Sequence, residues 1–229
     1  MLIFSIILGL LLLYGLVRLL IAGQRAQGAE WGNSWLNRID GLNRLFCKHY
    51  HHLQAQPIDL PKTGAAVVVA NHLSGLDPML LLAASPRPLR FLILRQEYER
   101  FWLKWFFARI GCIPVDRETR PELALRAALH ALQQGEVIAI FPQATFVLPG
   151  ESKKLKKGSF WLANQVNCAV YPVHITGIRR AGTIFPAIFT RNHVMLTLYP
   201  PTLCPEQECI ETVQAWLEGR LNPQLTDSN

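Results

Sequence analysis

Ala65-Ala66-Val67-Val68-Val69-Ala70 runs directly into Asn71-His72-Leu73-Ser74-Gly75-Leu76-Asp77-Pro78. The first six residues are a continuous apolar run, the pattern of a strand buried on both faces. The next eight are rich in the residues of turns and helix starts. The stretch therefore predicts a strand that ends in a turn and gives way to a helix, with His72 and Asp77 on the junction. A histidine removes a proton from an attacking hydroxyl, and a nearby carboxylate fixes its tautomer and stabilises the imidazolium. No serine, cysteine or metal is required when the substrate supplies the hydroxyl. The chain has seven histidines, so one such pair carries weight only with its surroundings.

From Pro61 onward strand-like and helical stretches alternate. The strand-like runs are 65–70, 89–94, 137–141, 168–175 and 194–199. Helical patterning falls at 78–84, 96–110, 121–134, 157–165 and 205–219. Pro121 and Pro205 mark first turns, and Gly111 and Gly135 mark helix ends. Buried strands separated by helices predict an α/β domain with a largely parallel central sheet flanked by helices.

The chain has 229 residues, 50% hydrophobic and 17% charged, which fits one domain plus a membrane element. Residues 1–22 are almost uninterrupted apolar sequence, long enough to cross a hydrocarbon core. No basic residue precedes them, so an uncleaved anchor fits better than a signal peptide. Arg18 lies near one end, and Arg25, Arg38, Arg44 and Lys48 follow. This asymmetry predicts a catalytic domain facing the cytoplasm. Residues 23–56 read as a linker and an amphipathic interfacial helix, with Trp31, Trp35, Ile39, Leu42, Leu45 and Phe46 opposite Asn33, Arg38, Asp40, Asn43 and Arg44. A helix packed on the domain core fits the same pattern. The domain is expected over 57–221, with a loose tail at 222–229.

Residues 100–110 carry Phe101, Trp102, Leu103, Trp105, Phe106, Phe107 and Ile110 beside Arg100, Lys104 and Arg109. A core helix and a surface against a membrane interface or an acyl chain both fit. The net charge of +7 matches an anionic membrane surface, and no nucleic-acid motif accompanies it. The His49-Tyr50-His51-His52 cluster has no thiolate or carboxylate companion, so no metal is expected. Five cysteines without paired spacing predict no disulfide framework, and Cys112 and Cys168 read as core residues.

Four blocks occur in order, each at or just after a predicted strand: 71–78, Gly111-Cys112-Ile113-Pro114-Val115-Asp116-Arg117, Phe141-Pro142-Gln143-Ala144-Thr145-Phe146, and Val170-Tyr171-Pro172-Val173. Together they resemble the glycerolipid acyltransferase family, best known for the 1-acylglycerol-3-phosphate acyltransferases. Residues 71–77 match that family's N-H-x-S-x-x-D, 111–117 its G-x-I-x-x-D-R, and 170–173 its V-x-P-V. Leu155-Lys156-Lys157-Gly158-Ser159-Phe160 resembles its F-K-K-G-A-F. The third block departs from F-P-E-G-T-R at Gln143, Ala144 and Phe146.

The resemblance implies direct transfer of a fatty acyl group from acyl-CoA or acyl carrier protein to the free hydroxyl of a lysophospholipid. No metal or bound cofactor is implied. His72 would be the general base and Asp77 its orienting partner. Asn71 and Ser74 would support the turn or the oxyanion; they also fit simple turn and cap roles. Arg117 would contact phosphate, and Pro142, Gln143, Ala144 and Thr145 would shape the acceptor site. Lys156 and Lys157 fit phosphate binding, a membrane-facing role or a solvated face. The altered third block leaves the acceptor open between lysophosphatidate and another lysolipid. It also keeps open an inactive lipid-binding or scaffolding homologue of the same fold.

Overall fold

The computed structural model describes residues 1–204 and 207–221. The chain begins with α1 (Leu2–Ala26) and α2 (Ser34–His49), and then alternates: β1 (Ala66–Ala70), α3 (Asp77–Ala84), β2 (Leu89–Leu94), α4 (Arg95–Tyr98), α5 (Phe101–Arg109), β3 (Ile113–Val115), α6 (Pro121–Gln133), β4 (Val137–Ile140), α7 (Gly158–Gln165), β5 (Val170–Thr176), α8 (Phe185–Phe189), β6 (Met195–Leu198) and α9 (Gln207–Leu217). The expected tail at 222–229, and Pro205 at the expected start of the last helix, lie outside the described residues.

The strands form one sheet in the order β3-β2-β4-β1-β5-β6. Every pairing is parallel except β5 with the edge strand β6. β1 lies between β4 and β5 and is buried at all five positions. Its side chains alternate between two cores, as the strand period requires. Ala66, Val68 and Ala70 face a cluster built with α2, α3, α5 and α8. Val67 and Val69 face one built with α6, α7 and α9. The C-terminal ends of β1, β4 and β5 thus open beside one another, where open α/β sheets place their ligands.

α1 is apolar and exposed, and Ile3–Ala26 is long enough to cross a membrane. It runs past the expected boundary at residue 22, because Gln24 and Arg25 are good helix formers; Gln27, with ψ 144°, ends it. Asn33 caps α2 by accepting from the amides of Trp35 and Leu36. The backbones of α1 and α2 meet closely: a Cβ on Gly41 would fall 1.8 Å from the carbonyl oxygen of Gly23.

The polar side expected for α2 is not a solvated face. Asp40 and Asn37 are buried. Asp40 accepts from the amides of Gly28 (2.9 Å) and Ala29 (3.3 Å) and from Arg44 Nε (2.8 Å). Arg44 also donates to the carbonyls of Ala83 (2.7 Å) and Ser85 (2.5 Å), satisfying the C-terminal end of α3. Asn43 Nδ2 donates to the Met79 carbonyl at 2.8 Å. Polar residues of α2 therefore fasten the α1–α2 hairpin to α3, while its apolar residues Leu36 and Cys47 join the core.

Two other differences are local. The helix expected over 96–110 divides at Glu99 and Arg100, where Arg100 takes an extended conformation (ψ 120°) and lays its guanidinium over Phe185. Cys204 and Cys209 form a disulfide, contrary to the expectation from an odd cysteine count. The start of α9 brings them together, with their Cα atoms 5.3 Å apart, and leaves Cys47, Cys112 and Cys168 free and buried. Burial pushes those thiols up to about 12, about 12 and about 11, respectively.

Arg44→Ala is expected to lower the unfolding free energy by about 3–5 kcal/mol, because the buried Asp40 carboxylate loses its partner. Denaturant titration of the detergent-solubilised protein measures this; an unchanged midpoint would contradict the fastening role.

Candidate active site

The turn after β1 is held from three directions. Asn71, buried at the strand end, exchanges two hydrogen bonds with the backbone of Ile175 in β5: Nδ2 donates to its carbonyl (2.9 Å) and Oδ1 accepts from its amide (2.7 Å). The His72 amide donates to Gln143 Oε1 at 2.9 Å, in the loop after β4. The His72 carbonyl accepts from the Val147 amide at 2.8 Å. On the third side, the Gly182 amide donates to the Leu73 carbonyl (2.7 Å) and the Gly75 amide to the Thr183 carbonyl (3.0 Å). Gly75 has no room for a side chain: a Cβ would lie 2.7 Å from Ile184.

At the centre is Asp77, fully buried as the first residue of α3, where the helix dipole favours an anion. Its Oδ2 accepts from His72 Nδ1 (2.8 Å) and from the amides of Leu73 (2.6 Å) and Ser74 (2.8 Å). Ser74 Oγ donates to Oδ1 at 3.1 Å and accepts from the Leu76 amide at 3.2 Å. With an acceptor-only carboxylate at Nδ1, the neutral ring carries its proton there and leaves the Nε2 lone pair free. The His72 side chain is 20% exposed against 0% for Asp77, so solvent or substrate reaches the imidazole and not the carboxylate. Phe141 stacks on the ring (centroids 4.1 Å apart) and Phe146 meets it edge-on (4.5 Å). These two rings wall the imidazole on two sides.

The structure thus gathers Asn71, His72, Ser74, Asp77 and Gln143 in one hydrogen-bonded cluster. Gln143 is buried and props the His72 backbone, a role an amide oxygen performs as well as a carboxylate oxygen would. Pro142 is buried beside it, and its carbonyl accepts from the Lys156 amide at 2.9 Å. That bond ties the lysine segment to the third block, with the Lys156 and Lys157 side chains exposed. Ala144 has φ 60°, a left-handed backbone costing about 1 kcal/mol without glycine. Thr145 is exposed.

Arg117 lies apart from the cluster. It is exposed, follows edge strand β3, and has no hydrogen-bond or ion-pair partner among the described residues. β3 is three strand places from β1, roughly 14 Å at ordinary strand spacing, so only an extended side chain reaches toward His72. Neighbouring Asp116 shapes the turn by accepting from Thr119 Oγ1 (2.6 Å) and the amides of Thr119 and Glu118, bonds that hold its carboxyl below the usual range.

A cavity of about 170 Å³ adjoins the cluster, lined by Asn71, Gln143, His174, Ile175 and Glu218 among others. His174 is half-buried at its rim, and burial pushes its imidazole below the usual range. Sequence reasoning missed Phe141 and Phe146 as ring walls and missed the 182–184 loop. Gly182, and Gly75 within the first block, were the only local signals for that close approach.

A histidine oriented by a buried carboxylate at the C-terminal edge of a parallel sheet is an arrangement that can accept a proton at Nε2. The model of the Acyltransferase family matches residues 52–176, and the chain belongs to that family. A Mycoplasma pneumoniae protein described as "Probable 1-acyl-sn-glycerol-3-phosphate acyltransferase" is 31% identical over 140 residues, covering 58% of this chain and 52% of that protein. The Bacillus subtilis 1-acyl-sn-glycerol-3-phosphate acyltransferase is 24% identical over 128 residues, covering 56% and 63%. The chain thus spans little more than half the length of these curated relatives. The fold is shared with the crystal structure of the 1-acyl-sn-glycerophosphate (LPA) acyltransferase PlsC from Thermotoga maritima, with TM-score 0.61, 20% identity, and coverage of 84% of this chain and 82% of that one.

Gln143→Ala is expected to cost about 1–3 kcal/mol, since it leaves the His72 amide without its acceptor, whereas Gln143→Glu keeps an acceptor and most of the stability. Thermal unfolding of both variants checks this; equal midpoints for Gln143→Ala and wild type would contradict the prop.

Proposed function

We propose that the protein is a membrane-attached O-acyltransferase that moves a fatty acyl group from an acyl thioester, acyl-CoA or acyl carrier protein, to the free hydroxyl of a lysophospholipid. The observation that carries this reading is the His72–Asp77 pair with its free Nε2. Nε2 takes the hydroxyl proton as the acceptor oxygen attacks the thioester carbonyl. The tetrahedral intermediate collapses, the new ester forms, and the C–S bond breaks. The sulfur leaves as a thiolate and recovers a proton from the imidazolium or from water. Asp77 stabilises the imidazolium while it exists. A thiolate is a good leaving group, so one base suffices.

Acceptors of the lysophosphatidate type are supported by the relatives named above. Arg117, Lys156 and Lys157 are the cations this reading assigns to phosphate on acceptor or donor. Phe146 stands against His72 where the family pattern has arginine, so the headgroup pocket beside the base is apolar on that side. This favours an acceptor whose phosphate is held away from residue 146. In the same reading α1 is the anchor, and Arg25, Arg38 and Lys48 behind it keep the domain at the cytoplasmic face.

With labelled oleoyl-CoA, or acyl carrier protein as donor, and a panel of lysolipids, wild-type membranes are expected to form one diacyl product. His72→Ala is expected to lose transfer by at least about a thousandfold while remaining folded and membrane-bound. Comparable turnover in the variant would remove this mechanism. No product with any donor or acceptor would favour a binding homologue.

A further inference from the structure

The outer face of α5 is built against the rule for a solvent-facing helix. Phe106 and Phe107 pack on the core, yet Phe101, Trp102 and Trp105 on the opposite side are 96%, 62% and 60% exposed. Lys104 and Arg109 flank them and are exposed too. Trp102 and Phe185 at the start of α8 lie with rings 5.7 Å apart, and α8 adds Phe189, 73% exposed. The two helices form one aromatic ledge.

The charge around this ledge has one sign in excess. Residues 95–109 hold four Arg or Lys against two Glu, and residues 179–191 hold three Arg and no acid. Glu97 and Glu99 are already paired with Arg100 and Lys104. Exposed Arg179, Arg180 and Arg191 have no ion pair among the described residues. Tryptophans at the level of headgroups with cations beside them are the composition of a bilayer interface, and the cations select anionic lipid.

The ledge also lies next to the site and on the same side of the sheet as α2 and α1. α5 and α8 share their core cluster with α2, which packs against α1. Thr183 and Ile184, just before α8, are the residues that hold Gly75 in the His72 turn.

From this placement we propose that the α5–α8 ledge is a second membrane-docking surface, distinct from α1, that seats on an anionic leaflet and presents the His72 site to lipid. Its purpose rests on the acyltransferase reading, but its test does not depend on turnover. The full-length chain is labelled with an environment-sensitive fluorophore at Phe101→Cys, Phe189→Cys, or Gln133→Cys on α6, which belongs to the other face of the sheet. Each protein is reconstituted into phosphatidylcholine vesicles with or without about 30% phosphatidylglycerol, with spin-labelled lipid as quencher. The labels at 101 and 189 are expected to shift to the blue and be quenched, more so with phosphatidylglycerol, while the label at 133 stays unquenched. Labels at 101 and 189 that behave like the one at 133 would overturn the proposal. So would shielding that persists in detergent and rises with protein concentration, the sign of a second copy covering the ledge.

Discussion

A carboxylate buried without exposure must be fully paired or it destabilises the fold, and Asp77 meets that demand with His72, two backbone amides and a serine hydroxyl. The same bonds that make Asp77 tolerable also bend the chain from β1 into α3 and aim the imidazole outward. Fold and chemistry are therefore one constraint here. A change that frees His72 also leaves an anion in the core.

The neighbouring elements serve this turn. Asn71 ties it to β5, Gln143 ties it to the loop after β4, and the 182–184 loop closes its outer side. From behind, Arg44 and Asn43 of α2 grip the carbonyls of α3, the helix that starts at Asp77. The α1–α2 hairpin is thus joined to α3 by directional polar bonds, not by greasy contact alone. Such bonds fix the orientation of α3, and with it the His72 turn, relative to α1.

Much of this was legible in the sequence. β2 falls on the expected residues, and β1 and β4 differ by one residue at an end, because short valine- and isoleucine-rich runs bounded by turn residues have little freedom to be anything else. The His72–Asp77 contact follows from spacing once a strand-to-helix turn is granted. The missing parts depend on tertiary context. β3 is three residues long and contains Pro114, so it carries no periodic signal, and edge placement is what tolerates the proline. Asp40 fell on the polar side of α2, and a helical pattern cannot reveal that a loop's amides will arrive to meet it. Gln143 looked like a damaged acceptor residue, whereas its observed contact is with the His72 backbone. The Cys204–Cys209 pair was hidden by counting cysteines rather than asking which neighbours a helix start brings together.

The central claim is that Asp77 sets the tautomer of His72 and leaves Nε2 as the base. Nitrogen-15 NMR of histidine-labelled protein in detergent, assigned by comparison with a His72→Gln variant, measures this at a pH where the ring is neutral. The expected result is a proton on Nδ1 and a bare Nε2, with that preference lost in Asp77→Asn. A wild-type ring protonated at Nε2 would contradict it, since the nitrogen not bonded to Asp77 could then accept nothing.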